Sequence, residues 1–177
     1  MDNQFFAKIE EGQGTIEDVV RKIPGFNGYL AKQDRRAADR LLREHIVTVF
    51  EEQQREFTRL QNRLVDSGGI MYMERVSRID NVLQTFIDRI RTAPQGYAGL
   101  FDAVKIRESE LDRVYAFDNG LLVYSEQIEA GLERFGEAIE GNENVEDVLD
   151  QLEGVVREAG DLFRRRVEVM RGLDQAV

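Results

Sequence analysis

A single histidine, His45, and no cysteine occur among the 177 residues. Thiol nucleophiles, thiolate zinc sites and disulfides are thereby excluded. His45 follows Glu44 and precedes Ile46 and Val47. The Glu-x-x-His spacing that a carboxylate-bridged metal pair draws from two helices of a bundle is therefore missing. Glu126 and Glu129 have suitable mutual spacing but no histidine partner. An oxygen-only calcium or magnesium site needs carboxylates alone, and its place would be near Asp118, an acidic residue set inside an apolar repeat. His45 borders Ile46 and reads as a solvated or hydrogen-bonded structural histidine. Gly25 and Gly28 have the Gly-x-x-Gly spacing with which some nucleic-acid modules clamp a backbone, but the strands of such modules are missing. No catalytic, cofactor-binding or metal residue is assigned, and the chain reads as non-enzymatic.

Asp118 belongs to the cleanest repeat in the sequence. From Ser109 to Glu140, residues Leu111, Val114, Asp118, Leu121, Ser125, Ile128, Leu132, Phe135 and Ile139 recur in alternating steps of three and four, the spacing of a helix buried along one side. Tyr115, Phe117, Leu122 and Tyr124 widen this seam into the stripe of a helix covered by more than one neighbour. A carboxylate in such a seam is costly unless paired. Asp118 is expected to be buried against an arginine from a facing helix, or against hydroxyl or amide donors. With Ser125 one heptad later it would form a polar layer that sets helix register. Asp118-Asn119-Gly120 is also a turn signature, but the seam stays in phase across it, which favours an unbroken helix. Ser109 and Asp112 suggest the N-terminal cap.

Three further long helices are expected. One spans Ala31 to Asp66 with the seam Ala38, Leu42, Ile46, Val49, Gln53, Phe57, Leu60, Leu64, one slip falling near Gln53, and Ser67-Gly68-Gly69 reverses the chain after it. Another spans Met71 to Arg91 with Met73, Val76, Ile79, Leu83, Phe86 and Ile90. The last spans Val145 to Leu173, its stripe being Val148, Leu149, Leu152, Val156, Ala159, Phe163, Val167, Met170 and Leu173. Arg164, Arg165 and Arg166 suit the C-terminal end of that helix. Gly141 to Asn144 form the turn before it. The connection from Ala93 to Glu108 is long and apolar for a bundle, and a short helical turn near Ala98 to Val104 is expected to lie across the bundle end. Residues 1–30 read as an arm and linker, with a brief helix from Thr15 to Ile23. The rings of Phe26 and Tyr29 would plug one end of the bundle. All of this predicts one all-α domain over 1–177, an antiparallel four-helix bundle with a short N-terminal helical arm.

Charge suggests the partner. The formal net charge is -10, which disfavours nucleic acid and makes contact with a membrane surface unpromising. From Arg21 to Arg43, however, seven basic residues face two acidic ones, giving +5, whereas from Glu108 to Asp161 sixteen acidic residues face three arginines, giving -13. Opposite fields on one chain favour internal pairing or contact between copies. Phe26, Tyr29, Arg35, Arg36, Arg40 and Arg43 form the candidate interaction patch for an acidic partner or a second copy, and a weak homodimer is expected. Arginine so outnumbers lysine that forked pairing to carboxylates is favoured. Neither a secretory signal nor a run of about 20 apolar residues is found, so a cytoplasmic location is expected.

The segment Lys22-Ile23-Pro24-Gly25-Phe26-Asn27-Gly28-Tyr29, continuing through Lys32, Arg35, Arg36 and Asp39, resembles part of an uncharacterised bacterial family of helical proteins. Tyr97-Ala98-Gly99-Leu100-Phe101-Asp102 and Tyr115-Ala116-Phe117-Asp118 are similar to two further stretches of it. The resemblance implies a helical bundle in a bacterial cytoplasm and supplies no catalytic residues. The function expected is a scaffold or interaction protein that binds a protein partner or itself. A bundle binding a small ligand, or a metal through oxygen ligands, is the alternative.

Overall fold

The computed structural model describes the backbone of residues 35–93 and 108–175, and side chains over 41–93 and 116–169. Four long helices make up these residues: α1 (Arg35–Asp66), α2 (Met73–Thr92), α3 (Glu108–Gly141) and α4 (Val145–Gln175). No strand occurs among them. The arm, Phe26, Tyr29, Ala31 and the expected turn near residues 98–104 lie outside the described residues.

Each helix buries the stripe that its periodicity supplies. Leu42, Ile46, Phe50, Phe57, Leu60 and Leu64 of α1 join Val76, Ile79, Leu83, Phe86, Ile87 and Ile90 of α2 in one core. Leu121, Ile128, Leu132 and Phe135 of α3 meet Leu149, Leu152, Val156, Ala159, Leu162 and Phe163 of α4 in the same core. Each fully buried Leu, Ile or Phe contributes about 1.5–3 kcal/mol. Phe50 meets Phe86 edge-on at 4.8 Å between ring centroids, and Phe86 meets Phe163 at 6.3 Å.

Consecutive helices run antiparallel. Glu51 of α1 reaches Arg91 near the end of α2, and Asp118 near the start of α3 reaches Arg166 far along α4. The two hairpins then stack with α1 beside α3 and α2 beside α4, and those neighbours run parallel. Gln53 lies level with Ser125, and Arg63 with Glu140; Arg75 lies level with Glu146, and Phe86 with Phe163. Accordingly α2 and α3, though consecutive, occupy diagonal corners, and a diagonal step needs more chain than a side-by-side reversal. That accounts for the long connection between them.

Both hairpin turns lie at one end. After α1, Gly68 adopts φ +89°, a region open to glycine at no steric cost. A Cβ on Gly69 would stand 2.4 Å from Leu64 Cδ1. A tight 3-10 turn, Ile70–Tyr72, follows, in which the Tyr72 amide donates to Gly69 O at 3.1 Å. Consequently α2 starts at Met73 rather than Met71. Asn142 and Asn144 make the second turn at φ 51° and 56°, values asparagine tolerates better than most residues.

Several expectations change in detail. In α1 the inward residue is Phe50, fully buried, whereas Val49 is half-buried, because the phase slip falls one turn before Gln53. Ile87 and Leu162 also enter the core. Ser109 lies within α3, which is already helical at Glu108. The helix continues without a break through Asp118-Asn119-Gly120, since burial of the seam on both sides outweighs the local turn preference.

Candidate functional site

Because the phase of α3 is unbroken, Asp118 is carried into the interior, where its residue exposure is 1%. Arg166 of α4, at 4%, meets it as a fork. Nε donates to Oδ1 at 2.6 Å and Nη2 to Oδ2 at 3.2 Å. Arg166 reads from the sequence as suiting the C-terminal end of a helix running to Leu173; α4 ends close to there, at Gln175, but this arginine faces the buried stretch. Arg164 of the same triplet stays outside and pairs with Asp161. Both Asp118 oxygens accept from one guanidinium, an arrangement that cancels a buried charge and orients two helices.

Ser125 is also buried, at 6%. Its hydroxyl donates to Leu122 O at 2.7 Å within its own helix. The link to α1 is made by its backbone carbonyl, which accepts from Gln53 Nε2 at 2.7 Å. Asp118 and Ser125 thus mark two polar contacts along α3, one facing α4 and the other facing α1. Nearby, Tyr124 donates its hydroxyl to Glu158 Oε2 at 3.3 Å, and burial, reinforced by the Glu158 charge, raises the phenol pKa.

The candidate basic patch is divided. Phe26 and Tyr29 lie outside the described residues; Arg35, Arg36 and Arg40 fall in the first turns of α1, and nothing of their side chains is described. Arg43 is half-buried, and its Nη1 donates to Ala93 O at 3.2 Å. Ala93 is the C-cap of α2, so Arg43 meets a carbonyl that the helix leaves unsatisfied, at the negative end of its dipole. A groove of about 530 Å³ lies there between Val47, Thr48 and Ile90.

The acidic half draws its described inter-helix ion pairs from arginines outside the 21–43 segment. Arg75 of α2 holds Glu146 and Asp150, Arg78 holds Glu153, and Arg63 of α1 holds Glu140. Burial pushes the Glu153 carboxyl upward, but hydrogen bonds from Arg157 and Arg78 outweigh it and hold the pKa below the usual glutamate value.

A second groove, of about 510 Å³, lies between α1 and α3. Val49 and Leu132 supply its apolar lining, with Gln53 beside them and Glu52, Glu56, Glu129 and Glu133 around it. Glu52 and Glu56 are four residues apart on one helix, and Glu129 and Glu133 four apart on the other, so like charges are neighbours on each side. Glu56 accepts from Arg59, which lowers its pKa. Gln53 is 8% exposed, and its Oε1 has no hydrogen-bond donor. The sequence reading missed this groove; the glutamate pairs were visible, but not that α1 and α3 stand side by side.

His45 is half-buried; burial lowers its pKa from the ordinary 6.5, with Glu52 acting in the opposite sense. Among the described residues, no group of three or more histidines, aspartates and glutamates is placed to hold a metal ion. Among them, too, no helix is long and apolar enough to cross a membrane. Comparisons of the chain with protein-family models, with curated proteins and with solved structures find no match.

Proposed function

We propose that this is a non-enzymatic interaction protein of the cytoplasm, which uses charged helical surfaces to bind a protein partner or a second copy of itself. The acidic groove between α1 and α3 carries this reading. Glu52 and Glu56 are held by Arg55 and Arg59 on their own helix, but Glu129 and Glu133 are like-charged neighbours with no ion-pair partner among the described residues, and the buried Gln53 Oε1 of the same groove accepts no hydrogen bond. A cation inserted there would relieve both costs. The interior polar groups, by contrast, serve the fold: Asp118 is held by Arg166, and Gln53 Nε2 by the Ser125 carbonyl. The alternative, an oxygen-ligand cation site near Asp118, is not favoured, since Arg166 already occupies that carboxylate.

The test is association measured against salt. Light scattering over a range of concentration would follow self-association, and fluorescence anisotropy of a labelled arginine-rich helical peptide would follow a basic partner. Binding in either assay should weaken steeply as salt rises from about 0.01 M to 0.15 M, where the Debye length shrinks from roughly 30 Å to 8 Å. Absence of both interactions at low salt would refute the reading.

A further inference from the structure

We propose that the groove between α1 and α3 receives the arginine-bearing first turns of α1, Arg35, Arg36 and Arg40, from a second copy of this chain. The inference rests on the interaction reading above and names both its surface and its occupant.

The groove has the composition an arginine needs. Val49 and Leu132 offer an apolar lining for the three methylenes of the stem. Glu52, Glu56, Glu129 and Glu133 surround it with carboxylates, which a guanidinium engages through its planar fork. Glu129 and Glu133 are exposed, and among the described residues neither has an ion-pair partner. Gln53, more than nine-tenths buried in the groove wall, leaves Oε1 without a donor, and a turn of its amide toward the groove would offer that oxygen to a guanidinium, which has five N–H groups. An acidic surface alone would attract any cation. The unsatisfied amide oxygen beside an apolar lining selects one with both a stem and several donors.

Spacing favours a helix as the carrier. Arg36 and Arg40 are four residues apart, as are Glu52 and Glu56, and Glu129 and Glu133. Residues at that separation are neighbours on a helix surface, about 5–6 Å apart, so paired arginines on one helix match paired glutamates on another.

The donor cannot be the same molecule's own α1. Arg40 and Glu52 lie on one continuous helix, Arg35–Asp66, and twelve residues at 1.5 Å each separate them by about 18 Å. An arginine side chain extends over roughly 7 Å, five bonds beyond Cβ, and the gentle curvature of a helix does not close the difference. Arg35, Arg36 and Arg40 are therefore complementary to the groove but unable to meet it within one copy, which leaves a second copy as the source of these arginines. Made reciprocally about a two-fold axis, each copy's arginines in the other's groove, the contact closes as a dimer.

Charge-swap variants test this directly, with helical content by circular dichroism confirming that each is folded. Glu129→Lys with Glu133→Lys should weaken self-association at least tenfold, equivalent to about 1.4 kcal/mol, and Arg36→Glu with Arg40→Glu should do the same. Joining all four substitutions in one chain should restore association in part, because the α3 wall and positions 36 and 40 again carry opposite charges while Glu52 and Glu56 stay acidic. A wild type that self-associates but is insensitive to Glu129→Lys with Glu133→Lys, or a fourfold variant that associates no more tightly than either double variant, overturns the inference and leaves the interaction reading standing. A wild type that stays monomeric yet binds the arginine-rich peptide likewise overturns only the second copy as occupant. If neither association occurs, both fall.

Discussion

Asp118 of α3 and Arg166 of α4 form a buried, forked ion pair, with N···O distances of 2.6 and 3.2 Å and side-chain exposures of 1% and 5%. Such a pair gives modest net stability, because desolvation offsets most of the attraction, yet leaving one member alone in the core is costly.

Asp118→Ala should therefore destabilise the fold by about 3–5 kcal/mol, and Arg166→Met by a similar amount. Replacing both together, Asp118→Ala with Arg166→Met, removes the unpaired charge and should recover part of that loss. Urea unfolding of the four proteins closes a double-mutant cycle. A double variant as unstable as the sum of the singles would mean that the pair is not coupled.

How far this pair was legible in the sequence depends on which partner is considered. Asp118 announced itself, as a carboxylate in phase with Leu121 and Ile128 that had to find a donor. Arg166 did not, because it sits among three consecutive arginines and the apolar stripe continues plausibly from Phe163 to Val167. The step from Phe163 to Arg166 is equally regular, and only the facing carboxylate decides between them. Val49 and Phe50 present the same ambiguity in α1, where adjacent apolar residues leave the phase free by one position. Hydrophobic period identified the helices and their order along the chain. It carried no information on which helices share a side, so the α1–α3 groove could not be assembled from spacing.

The phase of α1 can be checked by truncation. Phe50 is fully buried and stacks edge-on with Phe86, so Phe50→Ala should cost about 3–5 kcal/mol. Val49 is half-buried beside the groove, and Val49→Ala should cost less than about 1.5 kcal/mol. Equal losses in chemical denaturation would show that the two residues share the core.

Glycines in α3 and α4 should respond oppositely to alanine. A Cβ at Gly154 or Gly160 meets no atom within 4 Å, so each substitution should gain up to about 1 kcal/mol of helix propensity. The corresponding rise in melting temperature is about 2–4 °C for a domain of this size. At Gly131 the added carbon would stand 2.9 Å from Leu152 Cδ1, and Leu152 is itself buried. Overpacking there typically costs about 1–3 kcal/mol, so Gly131→Ala should melt below the wild type. Differential scanning calorimetry of the three variants would measure both signs; a gain at Gly131 would mean that α3 and α4 are less closely packed.

Acidification should weaken the fold in two stages. His45 has a folded-state pKa below 6.5, with burial as the leading cause. As pH falls through 6.5, the unfolded chain takes up a proton that the folded chain resists, so stability drops toward acid until the folded pKa is passed. One such site contributes a slope of at most about 1.4 kcal/mol per pH unit. The Glu56 and Glu153 carboxyls have pKa values lowered from 4.5, the first by the Arg59 hydrogen bond, the second by Arg157 and Arg78 against the opposing effect of burial. Their contribution is present above 4.5 and is lost only as pH falls further, toward their folded values. His45→Gln should therefore flatten the stability profile just below pH 6.5 while leaving the steeper loss below 4.5 unchanged. Urea midpoints measured at intervals from pH 7.5 to pH 3.5 would resolve the two stages, and a His45→Gln profile parallel to the wild type between pH 6.5 and pH 5 would assign the first stage to another group.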